Sequence, residues 1–233
     1  MGGASLNATL SLPARYKAMS NAFDSTCRQC PRLAAFLDTV HKDHPDYFCR
    51  PVPPFGDRRA TLLIVGLAPG MHGANRTGRP FTGDHAGILL YATLFKFGLG
   101  SSPVSVAGKD GLALIGARIT NAVKCLPPAN KPLPAEIRTC NGYLRAELAA
   151  SPTVRAVLAL GSIAHAAVLR ATDHPPKAFR FAHGAQHRIG GGRTLIDSYH
   201  CSRYNTQTRR LTTPMFEEVV AAARAIAAGT APV

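Results

Sequence analysis

Two loops and one set of cysteines in this 233-residue chain carry side chains whose types and spacing could do chemistry. The first loop reads Gly66-Leu67-Ala68-Pro69-Gly70-Met71-His72-Gly73-Ala74-Asn75-Arg76-Thr77-Gly78-Arg79-Pro80-Phe81-Thr82-Gly83-Asp84. Its glycines let a backbone approach a ligand closely, and its prolines fix the turns. Neither the Walker A spacing nor the dinucleotide fingerprint is present, so a P-loop and a dinucleotide site are unsupported. Arg76 and Arg79 suit phosphate contacts, and Phe81 offers a face for stacking on a base. Asp84 is an acid among basic residues, a setting expected to keep it ionised. The second loop, His200 to Arg210, sets a histidine at a strand end, followed by Asn205, Arg203, Arg209 and Arg210. A histidine followed by hydroxyls, an amide and arginines suits a surface that faces a nucleic acid.

The cysteines are Cys27, Cys30, Cys49, Cys125, Cys140 and Cys201. A CxxC pair at Cys27 and Cys30, with a distant pair at Cys125 and Cys140, suits four thiolates around one metal centre. Zinc and iron–sulfur both use such pairs, and spacing alone puts zinc slightly ahead. Cys49 and Cys201 read most simply as small buried hydrophobes.

Chemistry of this kind needs a scaffold, and the pattern of the chain supplies one. Four continuous apolar segments read as strands buried on both faces: Thr61–Gly66, Ala117–Val123, Val154–Gly161 and Thr194–Tyr199. Helical patterns lie between and after them, at Ala86–Phe97, Pro134–Ala150, Ser162–Arg170 and Thr213–Ala228. Glu217 and Glu218 sit early in the last of these, where they suit the helix dipole. Another helical stretch follows Cys27, with Leu33, Phe36, Leu37 and Val40 at helical spacing. His44 to Gly56 holds four prolines and reads as a surface loop. The alternation predicts an α/β fold: a three-layer α/β/α sandwich around a four-stranded parallel sheet. Ligands of such sheets bind beyond the carboxyl ends of the strands. Three of those ends lead into Gly66–Asp84, Asn121–Asn130 and His200–Arg210.

Composition narrows the class. Hydrophobic residues are 46% and charged residues 17%, which excludes a disordered chain. No apolar run reaches the roughly 20 residues that span a bilayer. One domain over residues 1–233 is expected, with 1–26 as a lead-in and 27–230 as the working core. Without a recognisable secretory signal, a cytoplasmic location is expected. The formal net charge of +14 points to a polyanionic partner, and nucleic acid fits it better than a membrane.

The Gly66–Asp84 motif, the strand ending Thr120-Asn121 and the segment His200–Asn205 together resemble the family 5 uracil-DNA glycosylases. The resemblance runs from about Cys27 to Thr212. It implies the sheet-and-helix sandwich of the uracil-DNA glycosylase superfamily and a monomeric DNA repair enzyme. Such an enzyme flips uracil, and other deaminated bases such as hypoxanthine, out of DNA and leaves an abasic site. It also implies a 4Fe-4S cluster on Cys27, Cys30, Cys125 and Cys140, which puts iron–sulfur ahead of zinc. Cys201 departs from the family, which usually has proline there.

Cutting the base–sugar bond leaves positive charge on the sugar and negative charge on the base, and a site must stabilise both. Asp84 is the expected carboxylate at the sugar. His200, by its family counterpart, is the expected donor to the uracil O2. Asn121 and Asn205 can bond the base edge or the water. The backbone from Gly66 through Leu67, Ala68 and Pro69 to Gly70 can add fixed dipoles. Phe81 can hold the flipped base, Arg76, Arg79, Arg203, Arg209 and Arg210 the DNA backbone, and Tyr204 the vacated stack. Two rivals remain: a metal-stapled nucleic-acid-binding module without catalysis, and a hydrolase of free nucleosides.

Overall fold

The computed structural model describes residues 23–230, so most of the expected lead-in lies outside the described residues. In chain order the elements are α1 (Pro31–Asp43), β1 (Phe55–Gly56), β2 (Leu62–Gly66), α2 (Ala74–Thr77), α3 (His85–Lys96), β3 (Ala117–Asn121), α4 (Pro134–Ala149), β4 (Ala156–Leu160), α5 (Ser162–Ala171), β5 (Gln186–Ile189), β6 (Arg193–Ser198), α6 (Arg203–Gln207) and α7 (Thr213–Ala228). A 3₁₀ turn at Pro128–Asn130 separates β3 from α4.

The sheet has six strands in the order β1-β3-β2-β4-β6-β5. The central four are parallel and correspond to the four apolar segments of the sequence. The expected four-stranded sheet is therefore corrected to six, because β1 and β5 add antiparallel edges. Neither edge had an apolar signature. β1 is two residues long, and most of β5 is not buried.

Side chains alternate across a strand, so each central strand feeds two cores. Leu62 and Ile64 of β2 pack with Leu90, Tyr91 and Leu94 of α3 and with Phe216 and Val220 of α7. Leu63 and Val65 face the other way, onto Leu144 and Leu148 of α4 and Val168 of α5. This is the three-layer sandwich. α1 lies outside those layers: Leu33 meets Val123 and Cys140, and Leu37 and Val40 meet Leu126. Two expectations need adjustment. The proline-rich stretch is not merely a surface loop, since Pro51 and Val52 are buried beside the β3 exit. Glu217 lies beyond the first turn of α7, and it forms an ion pair across to Lys96 of α3 at 2.7 Å.

Candidate active site

The central strands run β3-β2-β4-β6, so the chain leaves β2 for one side of the sheet and later returns to its other side. The crevice this creates between the carboxyl ends of β2 and β4 is where such sheets bind ligands. A cavity of about 400 Å³ opens there. Leu67, Ala68 and Gly70 line it from the β2 exit, Asn121 from β3, His200 and Ser202 from the β6 exit, and Phe81, Asp84 and Ala86 from the approach to α3. The fifth wall is Leu160, Gly161, Ser162 and Ile163 at the β4 exit, and Asn130 closes the rim. The β4 wall was missed in the sequence, because its residues are apolar or small and carry no chemical signature.

Asp84 is the N-cap of α3, and its Oδ1 accepts from the Gly87 amide at 2.9 Å. Burial raises its carboxyl above the ordinary value, against the pull of the Gly87 and Ala86 amides. Basic neighbours were expected to keep it ionised, but it is removal from water, and not the neighbouring charge, that sets the direction of its shift. His200 goes the opposite way for the same reason, its imidazole pushed down to about 4 by burial alone, so it is neutral at pH 7. Its ring lies against Phe81 with centroids 5.8 Å apart and planes 29° from parallel. Phe81 holds φ at 55°, a left-handed conformation that costs a bulky residue energy and turns the ring into the cavity. Two buried atoms have no partner among the described residues at this cavity, Asn121 Oδ1 and His200 Nδ1. Buried polar groups are nearly always bonded, so each has bonding capacity free for a water or a ligand group.

Several loop glycines make room for side chains of the protein itself. β2 and β3 pair Gly66 with Asn121, and a Cβ on Gly66 would strike Asn121 Oδ1 and the Phe81 ring. A Cβ on Gly73 would meet the Asp84 carboxylate at 2.6 Å. Gly66 and Pro69, expected to touch substrate, lie behind the lining residues.

Two further site residues are placed differently. Asn205 does not line the cavity; its Nδ2 donates to the His200 carbonyl at 2.8 Å and holds that backbone. Arg79 is buried at 5% exposure, donating to Asp110 at 2.7 Å and to the Gly108 carbonyl, with its guanidinium over the Phe55 ring. It is a structural pillar and not a phosphate contact. Burial would raise the Asp110 carboxyl, yet Arg79 and the Leu112, Ala107 and Val106 amides hold it at about 2. Arg76, Arg203, Arg209 and Arg210 are exposed near the cavity loops. Arg76 bonds the His72 carbonyl, and Arg210 lies over the Tyr199 ring at 4.7 Å. Tyr204 stands 70% exposed on α6.

The cysteines also converge. Cys27, Cys30, Cys125 and Cys140 line one pocket with Leu33, Lys124 and Tyr143, joining the start of α1, the β3 exit and α4. The Lys124 amide donates to Cys140 Sγ at 3.2 Å. Burial pushes the Cys125 thiol up to about 12 and Cys140 to about 11, with the neighbouring sulfurs adding to both. Thiols that raise one another in this way fit a multi-thiolate centre whose metal supplies the compensating charge. Cys201 is fully buried in the core, as expected. Cys49 is only half-buried and accepts from Asn75 Nδ2.

Comparison with known proteins agrees with this geometry. Residues 53–224 match the family model described as the uracil DNA glycosylase superfamily. The chain is 49% identical over 209 residues to a type-5 uracil-DNA glycosylase of Thermus thermophilus, covering 87% of this chain and 94% of the relative. It is 46% identical over 217 residues to the type-5 enzyme of Mycobacterium bovis, covering 89% and 80%. A type-4 uracil-DNA glycosylase of Archaeoglobus fulgidus is 34% identical over 126 residues, covering 54% and 50%.

Proposed function

The chain belongs to the uracil DNA glycosylase superfamily, and from that premise we propose that it excises uracil from DNA by hydrolysing the N-glycosidic bond. The observation that carries the reading is the pair of unpartnered buried atoms, Asn121 Oδ1 and His200 Nδ1, on two side chains that line a cavity together with Asp84 and Phe81. An acceptor and an imidazole nitrogen together match the N–H and carbonyl edge of a pyrimidine imide. A base must leave the helix stack to reach them, and Phe81 supplies the face that receives it.

As the bond lengthens, the base gains negative charge and the sugar gains positive charge. His200, neutral because it is buried, donates to the O2 of the departing base without first losing a proton. Asp84 presents its carboxylate to the sugar. Burial makes that carboxylate costly in the resting enzyme, and the developing cation relieves the cost, so the gain falls on the transition state. Asp84 also orients the attacking water in this reading, with Asn121 holding the base. Arg203, Arg209, Arg210 and Arg76 supply phosphate contacts that grip any sequence. Other deaminated bases such as hypoxanthine enter the same cavity.

Cys27, Cys30, Cys125 and Cys140 hold a 4Fe-4S cluster in this proposal. Bound there it supplies thiolate cross-linking and takes no part in bond cleavage. Four sulfurs on one zinc at about 2.3 Å would crowd within about 4 Å of each other. The sulfurs here ring a pocket, whereas the donors that converge within 4.8 Å among the described residues are two histidines and an aspartate.

The test uses purified protein and a duplex with a single uracil. Release of free uracil, with strand cleavage only after alkali, is the expected result. Binding without release would leave a metal-stapled DNA-binding module, and hydrolysis of free deoxyuridine but not of the duplex would leave a nucleoside hydrolase.

A further inference from the structure

Away from the cavity, three elements bring metal-type donors together. His165 on α5, His187 on β5 and Asp197 on β6 each place one ligand atom within 4.8 Å of the others. The strand register explains the meeting. β5 and β6 pair His187 with Leu195, and Asp197 lies two residues on, on the same face of the sheet. α5 packs over that face and delivers His165. The side chains are 3%, 13% and 0% exposed respectively.

With both imidazoles neutral and the carboxylate ionised, this group lacks one positive centre. His165 Nε2 lies 3.1 Å from the Phe179 carbonyl oxygen, which can only accept, so Nε2 carries the hydrogen. The Nδ1 of a neutral imidazole is then a bare lone pair, and it points at Asp197 Oδ1 from 2.8 Å. The other carboxylate oxygen faces His187 Nε2 at 3.3 Å. Two lone pairs in contact away from water repel, so either a proton or a metal ion belongs between them.

We propose that His165 Nδ1, His187 Nε2 and the Asp197 carboxylate form a binding site for a divalent transition-metal ion of the zinc class. Two imidazoles and a carboxylate are the donor set such ions take. Ligands about 2.0–2.1 Å from one centre, at angles between octahedral and tetrahedral, stand about 2.9–3.4 Å apart. The 2.8 and 3.3 Å separations therefore need little movement. The His165–Phe179 bond is the outer partner that fixes a ligating tautomer. Water completes the coordination from the side of His187, the least buried of the three. The ion ties α5 and β5 to β6 three residues before His200, and so stiffens the strand end that carries the imidazole of the cavity.

The test counts metals in the whole protein. Iron and zinc are measured by plasma emission in protein purified without chelator, and binding is then followed by titration with Co²⁺. The expected result is about one zinc or cobalt per chain besides iron. Its visible bands should show nitrogen and oxygen ligation without thiolate charge transfer. That ion stays in Cys125→Ser and is lost in His187→Ala and His187→Gln, whose position on an edge strand spares the fold. Added zinc raises the melting temperature of the parent and of Cys125→Ser but not of the His187 variants. A parent with neither cobalt bands nor a zinc-dependent melting shift overturns the proposal, as does zinc that follows Cys125. A far-downfield His165–Asp197 proton that persists in excess zinc also overturns it, since a proton then fills the gap.

Discussion

Replacing Asp84 by Asn separates two jobs that the structure gives one side chain. Its Oδ1 caps α3 through the Gly87 amide, and its carboxylate faces the cavity. Asn caps a helix about as well as Asp. The substitution removes a favourable charge–dipole interaction of roughly 0.3–1 kcal/mol. It also removes the burial cost that holds the carboxyl above its ordinary value. These oppose each other, so stability should stay within about 1 kcal/mol, a melting shift of no more than about 4 °C at this size. Catalysis has no such offset. Fixed charge or a donor aimed at developing charge contributes about 2.7–4 kcal/mol in a water-poor site, or about 100- to 1,000-fold in rate. Single-turnover excision of uracil by Asp84→Asn should therefore fall about 100-fold or more while the protein melts like the parent and still binds the duplex. Asp84→Ala should be as slow and should also melt lower, having lost a cap worth about 1 kcal/mol. The parent needs the ionised carboxylate, so its rate should decline as pH falls through the raised Asp84 pKa, at a higher pH than an ordinary aspartate would set. That limb should vanish in Asp84→Asn. A variant that melts several degrees lower yet excises within about tenfold of the parent would show that Asp84 only caps the helix.

His200→Ala should slow uracil excision most and hypoxanthine less, since a base that leaves protonated elsewhere has less need of the donor; equal losses on both would remove His200 from that role. Nitrogen NMR should find this imidazole neutral from about pH 8 down to about pH 5, and a titration near its ordinary pKa of about 6.5 would contradict the burial argument. Arg79→Ala should cost about 1–3 kcal/mol in urea unfolding, because the Asp110 carboxylate and the Gly108 carbonyl lose the donor they share, and should leave the salt dependence of DNA binding unchanged. The Asp110 carboxyl is held below its unfolded value of about 3.9, at about 2, so this contribution is present above about pH 4 and fades as pH falls through about 2. Changing both Arg209 and Arg210 to Ala should instead flatten the plot of log affinity against log salt by up to about two units, with no comparable loss of stability. Cys125→Ser should lose iron and stability while Cys49→Ser keeps both; zinc in place of iron, or equal effects of the two changes, would break the ligand assignment.

The amino-acid sequence by itself determined the scaffold and the chemical vocabulary of the site. Strands buried on both faces write themselves as continuous apolar runs, so β2, β3, β4 and β6 were legible, as were α3, α4, α5 and α7 between and after them. The long Gly66–Asp84 loop, with Asn121 and His200 at two other strand ends, marked where the chemistry sits. Tertiary structure decided which way each loop residue faces. Arg79 looked like a phosphate contact until Asp110, 31 residues later, took it into the interior. Gly66 looked like a ligand cradle, but strand pairing sets it beside Asn121, whose amide needs the space. Asn205 turned inward to the His200 carbonyl, and the β4 exit supplied a wall with no polar residue to announce it except Ser162. Burial likewise set the direction in which Asp84 and His200 shift, the carboxyl upward and the imidazole downward. The reason is common to all of these. Period and residue type are local properties of a chain, whereas solvent exclusion and the partner of a polar group depend on segments far away in sequence.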